Sequence, residues 1–284
     1  MRWTPGGSGR NIEDRRGMGG GGFGLGKGMG LGGMVLLLVL SLVTGRNFIG
    51  GAAEGPSATQ TQSGGAVDES PEEAKRREFV TFVLNDVQET WAKLLPEKMN
   101  TPYREAKLVL FRDLVQSGCG TAQSATGPFY CPLDERAYID LSFYDELQQK
   151  FGANGDFAQA YVLAHEIGHH VQTVLGTSQR VRELTERNPN AANQLSVRQE
   201  LQADCYAGVW GATTNNRGIL EKGDIEEGLN AAAAIGDDRI SEMSGRGISP
   251  ESFTHGSSAQ RVQWFRRGLE SGDPRSCDTF AGAF

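Results

Sequence analysis

No two of the four cysteines, Cys119, Cys131, Cys205 and Cys277, have the CxxC spacing. That absence excludes a zinc knuckle and a thioredoxin-type site. Hydrophobic residues make up only 38% of the 284-residue chain. Much of the shortfall lies in about the first 70 residues, which do not read as a folded domain. Positive charge is scarce beyond the start of the chain. Residues 1–28 hold Arg2, Arg10, Arg15, Arg16 and Lys27 against Glu13 and Asp14, a balance of +3, and since the whole chain is −7, residues 29–284 carry −10. Such an acidic body excludes nucleic acid as a partner, because a phosphate backbone demands a basic face. The sequence also lacks internal repeats, and it has one long apolar run.

That run is Met34-Val-Leu-Leu-Leu-Val-Leu-Ser-Leu-Val43, inside an uncharged stretch from Gly28 to Gly45. The stretch is just long enough to cross a bilayer as a helix. Basic residues precede it and only Arg46 follows closely, so the positive-inside rule puts the N-terminus in the cytoplasm and residues 50–284 outside. The chain then divides into a disordered, Gly-rich cytoplasmic segment (1–30), a transmembrane helix (31–50), a flexible linker (51–70) and a folded domain (71–284). A cleaved signal peptide is the competing reading, but Arg46 and Asn47 interrupt its cleavage zone and its basic segment is unusually long. Either way the domain is exported, where four cysteines can form two disulfides; in a cytosolic protein they would be buried thiols. Of three possible pairings, Cys119–Cys131 is the local one, closing a loop, and Cys205–Cys277 would tie a helix to the C-terminal tail.

Within 71–284 the periodicities predict an α+β domain, mostly helical with a small antiparallel sheet. Phe79, Phe82, Val83, Val87, Trp91 and Leu94 recur at helical steps, with Pro96 as the stop. Lys107–Phe111 reads as a strand, Cys119–Gly127 as a small-residue loop, and Phe129–Cys131 with Ala137–Leu141 as a hairpin. Ser142–Phe151 is a short helix that Ser142 can cap. Asp156–Leu175 is a long helix ended by Gly176, and Asn188-Pro189 breaks the connection after it. Ser196–Trp210 is a second long helix. A capping box at Asp224-Ile-Glu-Glu227 opens a third, and Ser258 caps the last, Ala259–Leu269.

The chemistry concentrates on His165-Glu166-Ile167-Gly168-His169, where three of the chain's four histidines fall within six residues. Positions four apart share a helix face, so both imidazoles can bind one ion. Glu166 lies beside that ion without being needed as a ligand, placed to take a proton from a water on the metal. A catalytic zinc site needs a third protein ligand. Arg198-Gln-Glu-Leu-Gln-Ala-Asp-Cys205 offers Glu200 and Asp204 on one face of the second helix: one can ligate, and the other can accept a hydrogen bond from a ligand imidazole. A solvated carboxylate pair is the plainer alternative, but Leu201, Ala203, Tyr206, Val209 and Trp210 make this a packed face. His170 projects about 100° from His169 on the helix and is not read as a ligand. His170 and Asp237-Asp238-Arg239 have no assigned role.

HEIGHH followed by ELQADCYAG resembles the gluzincin metallopeptidases, and most closely the bacterial predicted neutral zinc metallopeptidase family, which in turn resembles the membrane proteases related to prenyl-protein peptidases. The resemblance extends to the glycine-rich lead into one apolar segment, Gly127-Pro-Phe-Tyr-Cys-Pro132, Tyr138-Ile-Asp-Leu-Ser142 and Thr254-His-Gly-Ser-Ser-Ala-Gln-Arg261. It implies a zincin-like domain holding Zn2+ through His165, His169 and Glu200, with Glu166 as general base and Asp204 as the partner of His165. It also implies a bacterial cell-membrane location, with the catalytic domain periplasmic or extracellular. His255 would donate a hydrogen bond to the oxyanion; the alternative is a histidine at a helix start near Ser258. The substrate would be a peptide or protein. Phe129–Cys131 and Tyr138–Leu141 form either the cleft rim, pairing with an extended peptide, or an ordinary sheet edge. The competing function is a non-enzymatic, membrane-tethered zinc-binding scaffold, which would have no use for a carboxylate at Glu166.

Overall fold

The apolar spacing in the first helix has a direct outcome. In the computed structural model, which describes residues 1–17, 67–245 and 249–281, helix α1 runs from Pro71 to Met99. Ser70 and Glu73 form its capping box, and Val80, Val83, Leu84, Val87, Trp91 and Leu95 are closed to water. Pro96 does not stop the helix. It removes one N–H donor in the last turn, while the N–H groups of Asn100 and Thr101 both close on the Leu95 carbonyl.

The strands are β1 (Ile12–Asp14), β2 (Lys107–Phe111), β3 (Leu114–Ser117), β4 (Gly120–Gln123), β5 (Phe129–Cys131) and β6 (Arg136–Asp140). One four-stranded sheet has the order β1-β2-β6-β5, and β3 pairs with β4 in a separate two-stranded sheet. The expected β5–β6 hairpin is present and antiparallel, and part of the expected small-residue loop is the strand β4. The larger sheet is mixed, not antiparallel: β1 and β6 both run parallel to β2. Its central strand is buried on both faces, as parallel strands are. Val109 and Phe111 pack with Val115, Cys131 and Tyr138; Leu108 and Leu110 face the main core with Ala137 and Ile139.

Strand β1 corrects the reading of residues 1–30 as disordered for their first part, residues 1–17. Ile12–Asp14 pair with Leu108–Leu110, and the N–H of Arg15 donates to the Leu110 carbonyl at 2.8 Å. The Met1 ammonium reaches Asp156 at 2.7 Å and Asp224 at 3.2 Å. Three residues among glycines are too few for a periodicity to register; the partner strand supplies the order. Met1–Arg16 and Asp68–Phe284 form one compact unit. The expected transmembrane helix (31–50) and most of the linker (51–70) lie outside the described residues. Among the described residues no helix is long and apolar enough to cross a membrane.

The remaining helices are α2 (Phe143–Gln149), α3 (Asp156–Val174), α4 (Thr177–Arg187), α5 (Ala192–Asn216), α6 (Asp224–Ala234), α7 (Asp237–Met243) and α8 (Ser258–Ser271). Three expected caps, at Ser142, Asp224 and Ser258, are corrected. Ser142 makes no capping bond, because its hydroxyl donates to Asp140 at 2.8 Å; Asp224 lies inside α6 after Gly223, with no side-chain cap. The cap of α8 is Ser257, with Gln260 completing the box. Both disulfides pair as expected, Cys119–Cys131 and Cys205–Cys277.

Helices α5 and α8 cross through glycine. A Cβ on Gly208 would lie 2.0 Å from the Phe265 carbonyl oxygen, and one on Gly268 would lie 1.9 Å from that of Cys205. Gly208→Ala should therefore destabilise the domain by about 1–3 kcal/mol, read as a lower urea midpoint at unchanged slope; an unchanged midpoint would mean the helices part freely. Topology has its own check. In membrane vesicles, single cysteines introduced at Ser8 and Lys98 should react with an impermeant thiol reagent from the same side, and labelling from opposite sides would separate β1 from the sheet.

Candidate metal centre

Helix α3 carries His165 and His169 one turn apart, and α5 carries Glu200 and Asp204 with the same spacing. What brings the two helices together is Gly168. A Cβ there would lie 2.9 Å from the Ala203 carbonyl oxygen and 3.1 Å from its Cα, so only glycine admits α5 this closely. The Glu200 carboxylate then spans both imidazoles: Oε2 is 3.1 Å from His165 Nε2 and Oε1 is 3.4 Å from His169 Nε2. One donor atom from each of the three residues lies within 4.8 Å of the others. The two rings stand nearly perpendicular, at 88°.

The far sides of the rings are tied as well. His165 Nδ1 donates to Asp204 Oδ1 at 2.8 Å, the contact expected of Asp204. His169 Nδ1 meets Gln172 Oε1 at 2.9 Å. Both Nε2 atoms thus face one carboxylate while both Nδ1 atoms are engaged outward, the donor chemistry that suits zinc. Burial alone would lower the His165 pKa, yet Asp204 and Glu200 push it up to about 10. His169 is raised against burial by Glu200. Metal uptake displaces protons from such imidazoles, so affinity falls as pH falls. Glu166 is buried beside this set, and that burial raises its pKa.

Asp204 has more partners than the sequence reading foresaw. Tyr161, one turn before His165, donates its hydroxyl at 2.5 Å. Arg261, itself buried, donates from Nε to Oδ2 and from Nη2 to Oδ1, each at 2.9 Å. The signals for these two residues were present in the sequence: a tyrosine four before a ligand histidine and an arginine in a half-apolar helix.

The site floors a cleft of about 480 Å³. Phe129 and Tyr130 of β5 line it, as do Phe143, Phe151, Val162, Ile235 and Ile240; Ser178 and Gln199 contribute polar lining. His170 is fully buried and turned away from the donor set. Its Nε2 donates to the Arg104 carbonyl at 2.7 Å, so its Nδ1 accepts from the Tyr130 hydroxyl at 2.9 Å. It thereby fastens β5 to α3. His255 lines the cleft from its rim, half-exposed. Asp237 accepts the N–H groups of Thr254, His255 and Gly256 at 2.7–3.0 Å on one oxygen and faces His255 Nδ1 at 3.1 Å with the other. Asp238 accepts from Ser258 N–H and hydroxyl at 2.8 and 2.7 Å, while the Arg239 guanidinium contacts Glu242 at the exposed surface. A second acidic group, Asp156, Asp224 and Glu227, is engaged by the Met1 ammonium and the Phe157 N–H.

Fold and site together define an α+β domain with two helix-borne imidazoles facing a glutamate from a second helix. The chain belongs to the family described as "Putative neutral zinc metallopeptidase", whose model matches residues 1–280. It is 49% identical over 286 residues to Uncharacterized protein YpfJ of Escherichia coli K12, covering 99% of each chain. It is 45% identical over 210 residues to Uncharacterized protein Rv2575 of Mycobacterium tuberculosis H37Rv, covering 70% of this chain and 69% of that one. No solved structure matches the chain.

Metal affinity should separate the two acidic residues. Glu200→Ala should lower zinc affinity more than Asp204→Ala, and Asp204→Asn should be milder still, since losing an orienting partner costs roughly 10–100-fold. Chelator competition measures this; the reverse order would exchange their roles.

Proposed function

We propose that the chain is a zinc-dependent metalloendopeptidase, with His165, His169 and Glu200 as ligands and Glu166 as general base. One observation carries the reading: Glu166 is buried at the floor of an open cleft, beside three donors that do not require it as a fourth. A scaffold site gains nothing from a carboxylate there. Bound at that set, zinc would polarise the scissile carbonyl and lower the pKa of a water. Glu166 takes the proton of the attacking water and passes it to the leaving amine. Asp204, with its charge matched by Arg261, keeps His165 turned so that Nε2 points inward. His255, held at the cleft rim by Asp237, stands on the side where charge would gather on the carbonyl oxygen.

The cleft supports a peptide substrate. β5 ends the sheet order, so an extended chain can pair along it, and His170 holds that strand at a fixed height over the ligands. Phe143, Phe151, Val162 and Ile235 give the cleft an apolar wall suited to a large apolar side chain. Two disulfides suit an oxidising compartment, and we place the domain outside the bacterial cytoplasm, with residues 34–43 as the candidate membrane contact and Met1–Arg16 on the domain's side.

Glu166→Gln should retain zinc and lose about 10²–10⁴-fold in hydrolysis of an unfolded protein. Turnover near that of the wild type would remove Glu166 from the mechanism.

A further inference from the structure

Gln172 is wholly closed to water, three residues beyond His169 on α3, and its amide has three partners at once. Its Oε1 is 2.9 Å from His169 Nδ1. Its Nε2 is 2.7 Å from the backbone carbonyl of Gln199 and 3.1 Å from Gln202 Oε1. Gln202, also buried, reaches on to the Cys277 carbonyl at 2.9 Å through Nε2.

The direction of every bond in this chain follows from the two carbonyls, which can only accept. Cys277 O requires the nitrogen of Gln202 to face it, so the Gln202 oxygen faces Gln172. Gln199 O and Gln202 Oε1 then lie together on one side of the Gln172 amide. Both accept, and only an NH2 group, with one hydrogen for each, satisfies them. The Gln172 oxygen is left for His169, whose Nδ1 must carry a proton, so Nε2, the nitrogen facing Glu200, is the one that would offer its lone pair to a metal. No other assignment leaves every member of this buried network paired.

We infer that Gln172 and Gln202 form a directional relay that sets the tautomer of His169, which makes Gln172 a positioning residue for that ligand. The relay starts at the C-terminal turn: Cys277 closes the 3-10 turn Pro274–Cys277 and is disulfide-bonded to Cys205, the residue after Asp204. The two histidines are thus oriented by different means, His165 by a carboxylate matched to Arg261 and His169 by a neutral amide anchored on a distant carbonyl. The inference rests on the metallopeptidase reading above.

The test uses the full chain loaded with zinc, as wild type, Gln172→Leu and Gln202→Leu, with zinc affinity from chelator competition and the imidazole tautomers from long-range 1H–15N spectra. Wild type should show His169 protonated at Nδ1. Gln172→Leu should lose roughly 10–100-fold in zinc affinity and lose the His169 Nδ1–H signal while that of His165 persists, a selectivity that general loosening would not produce. Gln202→Leu, which keeps the Gln199 carbonyl as one acceptor, should show a smaller loss of the same kind and serves if Gln172→Leu does not fold. Wild-type affinity and an unchanged His169 signal in both folded variants would overturn the relay and leave the metal reading standing. A wild type that takes up no zinc would overturn both.

Discussion

Asp204 bears its charge at a position wholly closed to water, and three helices converge on it. Removing a carboxylate from water costs several kcal/mol, recovered only where charge and hydrogen bonds are both supplied in good geometry. Here α8 brings Arg261 in two parallel bonds, α3 brings Tyr161 and His165, and α5 carries the carboxylate itself. Parallel N–H bonds from a guanidinium are among the stronger charge-assisted contacts. The arrangement works only if all three helices hold their spacing, so one buried charge sets the geometry of the cleft floor.

That spacing is achieved by leaving side chains out. Gly168 brings α3 onto α5, and Gly208 with Gly268 brings α5 onto α8. Each crossing places backbone where a methyl would otherwise sit, and each lies within two turns of a polar group in the site. Close backbone approach also explains why short reaches suffice: Glu200 touches two imidazoles at once, and Gln172 touches the neighbouring helix carbonyl directly.

Features with local causes were legible in the sequence. The four-residue spacing of His165 and His169 follows from the helix turn alone, and so does that of Glu200 and Asp204. The apolar run of β2, the β5–β6 hairpin and the termination at Gly176 follow from equally local rules. What stayed hidden depends on distant partners. β1 has three residues and no pattern of its own; its order comes from β2. The parallel pairing of β2 with β6 cannot be read from either strand. Helix α4 has too few buried residues, Ser178 and Val181, to stand out from its polar surroundings. Gln172 looks like any polar helix residue until Gln202 and a carbonyl 75 positions further along arrive beside it. Ser142 and Ser258 show how a cap is misread: a free hydroxyl nearby finds a carboxylate, Asp140 or Asp238, in place of the helix N–H.

The docking of β1 has a consequence in time. Ile12 pairs with Leu108, so the earliest strand made has no partner until β2 has been synthesised, an interval of roughly 5–20 s at ~5–20 residues per second. Closing so long a loop adds an entropic cost that grows only slowly with length. Without β1 the outer edge of β2 would stay open, and an open apolar edge invites strands from neighbouring chains. The N-terminal residues therefore act as a cover for that edge, made before the strand they protect: the chain supplies its own cap against edge-to-edge association.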